Sequence, residues 1–357
     1  MIPTNKKIAV LHPYIYKVWW AVKMMIYMSE FLQKNNSVIF HTLSYNETVF
    51  SQEKINFQVK SYFSNNVLKF FSFICIAFNI RKNDFIIVWN SPMHFVWVLS
   101  KILFRSKAKI IWWNHHCPWY YSINANLFIR LKRYIEKRLV KRIDRVLSNS
   151  KYLKWVIDNT WNIDSKILYP VLDDRFLNYK YGEMTKDNII LSYGRREAGK
   201  NLEMIFNTYD DLKNKISDLI LIVWWEWSEL QKFIPKYKND RNVKFLWNLN
   251  INQVLENLST STLFLFPSKI DSFWLVQLES MSAWNPVICF KKKSEEEIVT
   301  NGVNGFCVES ENDFIQKTHE VLINPTLRKT LSLWSLETSK RFTSKTFEKQ
   351  LENIFGF

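Results

Sequence analysis

The chain has 357 residues, of which 47% are hydrophobic and 23% charged, a balance that excludes a disordered or fibrous protein. Lys and Arg number 49 against 33 Asp and Glu, so the net charge is +16. This surplus favours polyanionic partners such as phosphorylated substrates, anionic lipid headgroups or nucleic acid.

Residues 1–7 lack the layout of a signal peptide, and the most apolar stretch, residues 67–80, is shorter than the ~20 residues of a membrane-spanning helix. We therefore expect a cytoplasmic protein.

Short apolar runs alternate with longer amphipathic stretches through the first half of the chain. Such runs predict strands, and stretches with a period near 3.6 residues predict helices. Strands are expected at residues 8–11, 38–42, 85–88, 109–112 and 145–147, and helices at residues 21–32, 67–80, 94–103 and 127–142.

The same alternation continues in the second half. Strands are expected there at residues 188–192, 219–223, 243–246, 263–266 and 287–290. Strands that alternate with helices of this length predict βαβ units and parallel sheets, and hence an α/β fold.

Residues 169–184 separate the two halves, because they contain Pro170, the adjacent acids Asp173 and Asp174, and Gly182 without a clear period. We expect an N-terminal domain at residues 1–170 and a C-terminal domain at residues 171–343. Residues 344–357 are expected to form a terminal helix that can pack back on the N-terminal domain.

Residues 267–286 carry two carboxylates around a helix start. A strand ending near Phe266 leads into a loop with Asp271, and a helix follows from about Leu275 with Glu279 one turn inside it. The free N–H groups and the positive dipole end of such a helix bind phosphate well. A carboxylate one turn inside can accept hydrogen bonds from ribose hydroxyls. The alternative is an ordinary surface acid at each position.

A second segment, residues 192–201, places two cations after a strand that ends at Tyr193–Gly194. Arg195 and Lys200 lie five residues apart, and cations at the carboxyl end of a strand can hold a diphosphate. They would also neutralise the charge that develops on a leaving nucleoside diphosphate. The alternative is a solvated basic loop.

Together these segments resemble the family 4 glycosyltransferases, of the group 1 type. That family commonly shows GRL-x-x-x-K-G, which Gly194, Arg195 and Lys200 match, followed by an E-x7-E segment in which Asp271 replaces the first Glu. The matching positions of the second segment are Pro267, Ser268, Ser272, Phe273, Leu275, Glu279, Met281, Pro286 and Val287. Residues 221–230, 243–247 and 300–308 continue the match in the family's order, and residues 18–23, 144–151 and 166–170 match the first half more weakly.

The resemblance implies a GT-B fold, with two Rossmann-like domains facing across a cleft, and a retaining transfer from a nucleotide-diphosphate sugar to a cell-envelope glycan or glycolipid. It implies that Glu279 holds the ribose, and that His115 or His116 orients the transferred sugar together with Asp271. The diphosphate contacts are implied for Arg195, Lys200, Phe273, Trp274, Leu275 and Val276. No metal and no cofactor besides the donor sugar nucleotide are expected, and the acceptor would bind near residues 18–23.

Tryptophan occupies eight positions at which the family has glycine: Trp19, Trp20, Trp224, Trp225, Trp227, Trp247, Trp274 and Trp284. The chain has 6 Gly and 16 Trp, whereas an average Gly usage of about 7% would give roughly 25 Gly. Some bacterial lineages read the UGA codon as glycine, and translation with a table that reads UGA as Trp would produce this pattern. We hypothesise that many of these positions are glycine in the living cell. The alternative is an inactive relative with blocked loops.

Residues 131–145 form a predicted basic amphipathic helix that can lie on anionic lipid, with Leu131, Ile135 and Leu139 as its apolar side. The alternative is a helix whose apolar side enters the core. Peripheral association with the inner face of the cytoplasmic membrane is therefore expected.

Three alternative functions are consistent with part of this sequence evidence. One is a sugar-nucleotide epimerase or phosphorylase of the same fold, and another is a degenerate, non-catalytic relative in which the Trp residues are real. A nucleic-acid binder is not expected, because the charge is accompanied by no recognised binding motif.

Overall fold

The computed structural model describes residues 4–15, 20–46, 57–62, 69–89, 93–115, 127–181, 188–194, 201–225, 227–268, 275–292 and 294–355. The chain divides into two units. The first comprises Met1–Pro170 together with Phe347–Phe357, and the second comprises Val171–Thr346.

A seven-stranded sheet with only parallel neighbours forms the centre of the first unit. Its strands are Lys7–Leu11 (β1), Ser37–Thr42 (β2), Gln58–Ser61 (β3), Phe85–Val88 (β4), Lys109–Asn114 (β5), Arg145–Ser148 (β6) and Lys166–Ile167 (β7). They lie in the order β3-β2-β1-β4-β5-β6-β7. A separate two-stranded ladder pairs Tyr14–Ile15 with Ser44–Tyr45.

The helices of the first unit cover both faces of this sheet. They are Trp20–Gln33 (α1), Lys69–Asn79 (α2), Val96–Phe104 (α3), Leu127–Val140 (α4) and Lys151–Trp161 (α5), with 3₁₀ turns at Ile80–Lys82 and Met93–Phe95. One buried cluster contains residues from α2, α3, α4 and α5, including Ile76, Val96, Val140 and Ile157. These four helices therefore pack on one face of the sheet and form a single layer.

The second unit contains a six-stranded parallel sheet. Its strands are Ile189–Tyr193 (β8), Ile220–Trp224 (β9), Val243–Leu246 (β10), Leu263–Phe266 (β11), Val287–Phe290 (β12) and Gly305–Val308 (β13), in the order β10-β9-β8-β11-β12-β13. The close approach of β13 to β12 requires glycine at 305, since a Cβ there would lie 2.1 Å from the Val287 carbonyl oxygen.

Within the described residues, nine helices lie after residue 170: eight accompany the second sheet, and most of the last belongs to the first unit. They are Asp174–Asn178 (α6), Leu202–Leu212 (α7), Trp227–Leu230 (α8), Ile234–Tyr237 (α9), Ile251–Thr260 (α10), Leu275–Ser282 (α11), Glu311–Ile323 (α12), Pro325–Ser339 (α13) and Ser344–Phe355 (α14). Two 3₁₀ turns lie at Glu295–Glu297 and Lys340–Phe342. The last helix, α14, packs on the sheet of the first unit: the rings of Phe347 and Trp113 lie 5.6 Å apart, and those of Phe355 and Phe85 lie 5.8 Å apart.

The strand order reverses at one place in each sheet, between β1 and β4 in the first unit and between β8 and β11 in the second. In open parallel sheets, ligands bind outside the carboxyl ends of the strands at such a switch point. In the second unit β8 ends at Tyr193 and β11 at Phe266. The two segments singled out from the sequence therefore leave the sheet at its switch point.

The structure confirms most predicted elements and adds several that the sequence patterns did not indicate. The strands predicted at residues 85–88, 243–246, 263–266 and 287–290 have those bounds. The strand β13 was missed because Gly302 and Gly305 indicate a turn, and Gly302 does adopt a φ of +73°. The strand β3 was missed because its sequence, QVKS, has no apolar run and lies at the edge of the sheet. No helix within the described part of the chain combines the length and the apolar character needed to cross a bilayer.

Candidate active site

Glu279 lies at the switch point of the second unit. The helix α11 begins at Leu275, where the sequence predicted a helix start, so Glu279 lies one turn inside it. The Tyr193 hydroxyl donates a hydrogen bond of 2.8 Å to Glu279 Oε2. Because Tyr193 is the last residue of β8, this bond fixes the carboxylate beside the strand end at which a ligand is expected.

Two tyrosines support this carboxylate. Tyr193 is buried, and burial together with the neighbouring Glu279 charge raises the pKa of its hydroxyl well above the ordinary value. It therefore stays protonated and remains a hydrogen-bond donor at neutral pH. Tyr181 has its hydroxyl 3.3 Å from the Ser282 Oγ, and burial raises the pKa of Tyr181 as well. The Ser282 hydroxyl in turn donates a hydrogen bond of 2.6 Å to the backbone carbonyl of Glu279.

The start of α11 is suited to an anion. The first N–H groups of a helix lack intrahelical partners, and the positive end of the dipole lies there. Leu275 is buried and Val276 is half-buried, so their implied contact with a diphosphate would come from the backbone rather than from the side chains.

Six of the residues implied for the donor or the transferred sugar lie outside the described residues: His116, Arg195, Lys200, Asp271, Phe273 and Trp274. The strands that lead to five of them, β8 and β11, end on either side of the switch point. Their individual roles stay predictions.

Sequence reasoning missed Gln277, which lies in the same helix as Glu279. Its side chain is fully buried, and neither its amide nitrogen nor its amide oxygen has a hydrogen-bond partner among the described residues. Buried amides are almost always paired. The signal was available as a lone amide in the otherwise apolar start of the helix, LVQL.

His115 lies at the carboxyl end of β5 in the first unit, but its imidazole is fully buried. The Trp89 indole stacks on it with ring centres 4.2 Å apart at 12°, and the Trp113 ring centre lies 4.5 Å away. A direct contact of His115 with a sugar, as the resemblance implies, requires that this aromatic cover be absent or displaced.

Other polar side chains at the strand ends of the first unit were not singled out from the sequence. His12 follows β1, His41 lies near the end of β2, and Asn149 follows β6. All three are buried, and the Asn149 amide has no hydrogen-bond partner among the described residues. Burial and the nearby Lys60 charge lower the pKa of His41 to about 3, so its ring is neutral at physiological pH. His12 and Asn149 each follow an apolar strand directly, and His41 lies at the end of one, which is the pattern that could have identified them.

The tryptophans at expected glycine positions show two unusual environments. Trp284 has a φ of +66° directly after α11. The Trp225 indole is buried against Gly194, where a Cβ at Gly194 would lie 2.7 Å from the indole Cη2. By contrast, Trp247 is 53% exposed. Trp274 lies outside the described residues, as does the side chain of Trp227.

Two family models match the chain. Residues 173–333 match the glycosyl transferases group 1, and residues 21–174 match the Glycosyltransferase Family 4. The chain thus belongs to the family 4, group 1 glycosyltransferases.

Similar proteins agree with this assignment. An uncharacterized glycosyltransferase of Methanocaldococcus jannaschii is 26% identical over 216 residues, which cover 59% of either chain, so the match spans about three fifths of that relative. A Campylobacter jejuni 4-alpha-N-acetylgalactosaminyltransferase that acts on N-acetylgalactosamine-N,N'-diacetylbacillosaminyl-diphospho-undecaprenol is 26% identical over 80% of each chain. The crystal structure of Anabaena HepE with UDP-glucose has a TM-score of 0.81 at 15% identity and covers 99% of this chain and 100% of its own, which indicates the same GT-B fold.

Proposed function

We propose that this glycosyltransferase moves a sugar from a nucleoside-diphosphate sugar to a cell-envelope glycan or lipid-linked acceptor, with retention of the anomeric configuration. The observation that carries the proposal is the Tyr193–Glu279 hydrogen bond at the switch point of the second unit. It fixes a carboxylate one turn inside the helix whose first amides would bind the diphosphate, and this supports a contact of Glu279 with the ribose.

In this proposal, a carboxylate contacts the ribose of the donor, and positive groups contact its two phosphates. Glu279 would accept hydrogen bonds from the ribose hydroxyls, while Arg195, Lys200 and the first amides of α11 would hold the two phosphates. In the reaction, the bond between the sugar C1 and the β-phosphate oxygen breaks, and its electron pair stays on the phosphate. The acceptor hydroxyl oxygen forms the new bond to C1 and releases its proton. Fixed cations and dipoles at the leaving phosphate lower the barrier, because they stabilise the charge that develops there.

The acceptor would bind the first unit, at the carboxyl ends of its strands. The buried Asn149 amide and the histidines His12 and His41 provide polar groups there, and His115 or His116 with Asp271 would orient the transferred sugar. The Campylobacter jejuni relative acts on a diphospho-undecaprenol-linked sugar, which supports a lipid-linked acceptor. A cytoplasmic enzyme working at the inner face of the membrane fits such a substrate.

A non-catalytic protein of the same fold is the second candidate. It is favoured by the stacking of Trp89 on His115 and by the packing of Trp225 against Gly194, both of which place indoles at strand ends where ligands would bind.

A turnover assay with a panel of UDP- and GDP-sugars tests the proposal. Nucleoside diphosphate should be released in the presence of envelope glycolipid extract, and the product anomer, read by NMR, should have the donor's configuration. Release of no nucleotide from any donor would favour the non-catalytic protein. Conversion of the donor to another sugar nucleotide without acceptor would identify an epimerase instead.

A further inference from the structure

We propose that the outer surface of α2 and α3 binds a bilayer that carries anionic lipids. We call this region the α2–α3 surface and define it by Phe71 and Phe78 of α2 and by Ile102 and Leu103 of α3. This proposal rests on the proposed function in one respect: a lipid-linked acceptor would place the enzyme at such a bilayer.

The four defining side chains are large, apolar and exposed. Phe71 is 60% exposed, Phe78 47%, Ile102 64% and Leu103 54%. Among the described residues, seven of the twelve large hydrophobic side chains that are exposed belong to the first unit, and all seven lie on the layer formed by α2, α3, α4 and α5. Contiguous apolar exposure of this kind marks a site of protein or membrane contact.

These side chains are not needed for the core, because the inner faces of the same helices already supply it. Ile76, Ala77 and Ile80 on the α2 side and Val96 and Trp97 of α3 are buried in the sheet-facing cluster. On the outer side the two helices meet through Phe78 and Phe104, whose rings lie 5.3 Å apart edge to face. The apolar groups of α2 and α3 therefore lie on one connected surface.

Basic side chains outnumber acidic ones around the ends of these two helices, where the acids are Asp84 and Asp144, the latter 3.9 Å from the Lys101 Nζ of α3. Arg81 stacks on the Phe78 ring at 3.5 Å, and Lys82, Arg105 and Lys107 are exposed nearby in the chain. Between Glu53 and Glu136 the sequence contains a single acid, Asp84, and its Oδ2 accepts a hydrogen bond from the Lys7 backbone N–H. Apolar groups rimmed by Lys and Arg fit the boundary between acyl chains and anionic headgroups.

The basic helix α4 belongs to the same layer but differs from the sequence expectation. Ile135, expected on one apolar side with Leu139, is 43% exposed, whereas Leu139 packs on the core and Glu136 is buried. The exposed Tyr134 carries the Arg138 guanidinium over its ring at 4.6 Å. α4 therefore exposes Tyr134, Ile135 and Arg138 on the same helical layer as the α2–α3 surface.

The test compares two double variants in vesicle co-sedimentation without any sugar nucleotide. One variant carries Phe78→Ser and Ile102→Ser on the α2–α3 surface. Its matched control carries Ile323→Ser and Leu333→Ser, which are 56% and 43% exposed in the second unit. The vesicles are phosphatidylcholine alone or with about one-third phosphatidylglycerol.

The unchanged chain and the control should bind the anionic vesicles, more weakly at high salt and on pure phosphatidylcholine. The surface variant should bind about tenfold less tightly or worse, because two large apolar contacts are lost. Equal binding by both variants would overturn the proposal. So would a dimer in sedimentation velocity that only the surface variant dissociates, since the surface would then be an interface between two copies.

Donor hydrolysis by the same proteins without lipid separates this proposal from the proposed function. Hydrolysis without vesicle binding would refute the α2–α3 surface and leave the transferase intact. Vesicle binding by a chain that turns over no donor would support the α2–α3 surface and refute the transferase.

The backbone at residue 284 leads to a second inference, because Trp284 has a positive φ. We infer that position 284 is glycine in the protein that the cell makes. Most of the other non-glycine residues with positive φ among the described residues are Asn or Asp: Asn5, Asn162, Asn201, Asn248 and Asp218. These types tolerate the left-handed region, whereas a bulky aromatic residue there is an outlier. Trp284 stands directly after α11, its N–H bonded to the Met281 carbonyl at 3.1 Å, at the helix end where glycine is preferred.

Three buried tryptophans point the same way. The indole N–H groups of Trp89, Trp113 and Trp225 have no acceptor among the described residues, although buried indoles normally have one. Glycine at 225 would open the backbone of Gly194 at the strand end, and glycine at 89 would uncover His115. A UGA codon read as glycine accounts for these environments together.

Peptide mass spectrometry on protein isolated from its native cells tests this inference. The tryptic peptide of residues 270–291 contains both 274 and 284, and that of residues 155–166 contains Trp155 and Trp161. We expect glycine at 284. Tryptophan at 284 in the native protein would overturn the inference.

Discussion

In the first unit, buried polar side chains lie at the strand ends: His41 in β2, and His12, His115 and Asn149 directly after β1, β5 and β6. In the second unit, β8 ends on a tyrosine that donates a hydrogen bond to a carboxylate. The first unit has exposed apolar side chains on one helical layer. In the second unit the described ones are Trp247, Val303, Ile323, Leu333 and Trp334. Both sheets reverse strand order at the equivalent place. One topology thus carries different side chains in its two copies, because the residues at the strand ends and on the outer helices do not determine the strand order.

Replacement of Glu279 by Gln should give the largest effect on the donor side of this comparison. The lost charged contact with the ribose should weaken nucleoside-diphosphate binding about 10- to 100-fold, since hydrogen bonds to charged groups contribute about 1.5–3 kcal/mol. Isothermal titration calorimetry with UDP and GDP measures this loss of affinity. The matched variant Tyr193→Phe keeps the carboxylate and should lose less. Unchanged affinity in Glu279→Gln would remove this residue from the donor site.

Replacement of His115 by Ala should act on the other side of the comparison. If the first unit orients the transferred sugar, turnover should fall about tenfold, as expected for one lost hydrogen bond, while nucleoside-diphosphate affinity stays the same. Steady-state rates and calorimetry on the same protein give both values. His319→Ala, in α12 of the second unit, serves as the control and should change neither. A loss of nucleotide affinity in His115→Ala would contradict the division of roles between the units.

Replacement of Trp284 by Gly should give a smaller effect, and one confined to the stability of the second unit. Relief of the left-handed backbone should raise the free energy of unfolding by about 1 kcal/mol, offset in part by any packing that the indole provides. Urea denaturation measures the change. Trp284→Ala removes the indole but keeps a Cβ, and it should not reproduce the gain. Equal stability of the Gly and Ala variants would show that the positive φ is not the cause.

The α/β class, most strand bounds and the position of Glu279 could be predicted because they depend on short-range patterns. An apolar run followed by a loop acid and a helix start is local in sequence, and so is the pair Arg195 and Lys200. The Tyr193–Glu279 bond joins residues 86 apart and depends on which strands are neighbours. The burial of His115 under Trp89 also depends on the order of β4 and β5 in the sheet. The exposure of Phe71 and Ile102 could not be predicted, because an apolar helix face looks the same whether it enters the core or faces outward.

Turnover of UDP- and GDP-sugars by two versions of the chain tests the central claim most directly, one as written and one with the eight Trp at expected glycine positions changed to Gly. Release of nucleoside diphosphate with acceptor present, abolished or greatly slowed by Glu279→Gln, is the result that the account predicts for the Gly version. If neither version binds or turns over any sugar nucleotide, the donor site at the switch point of the second unit is contradicted.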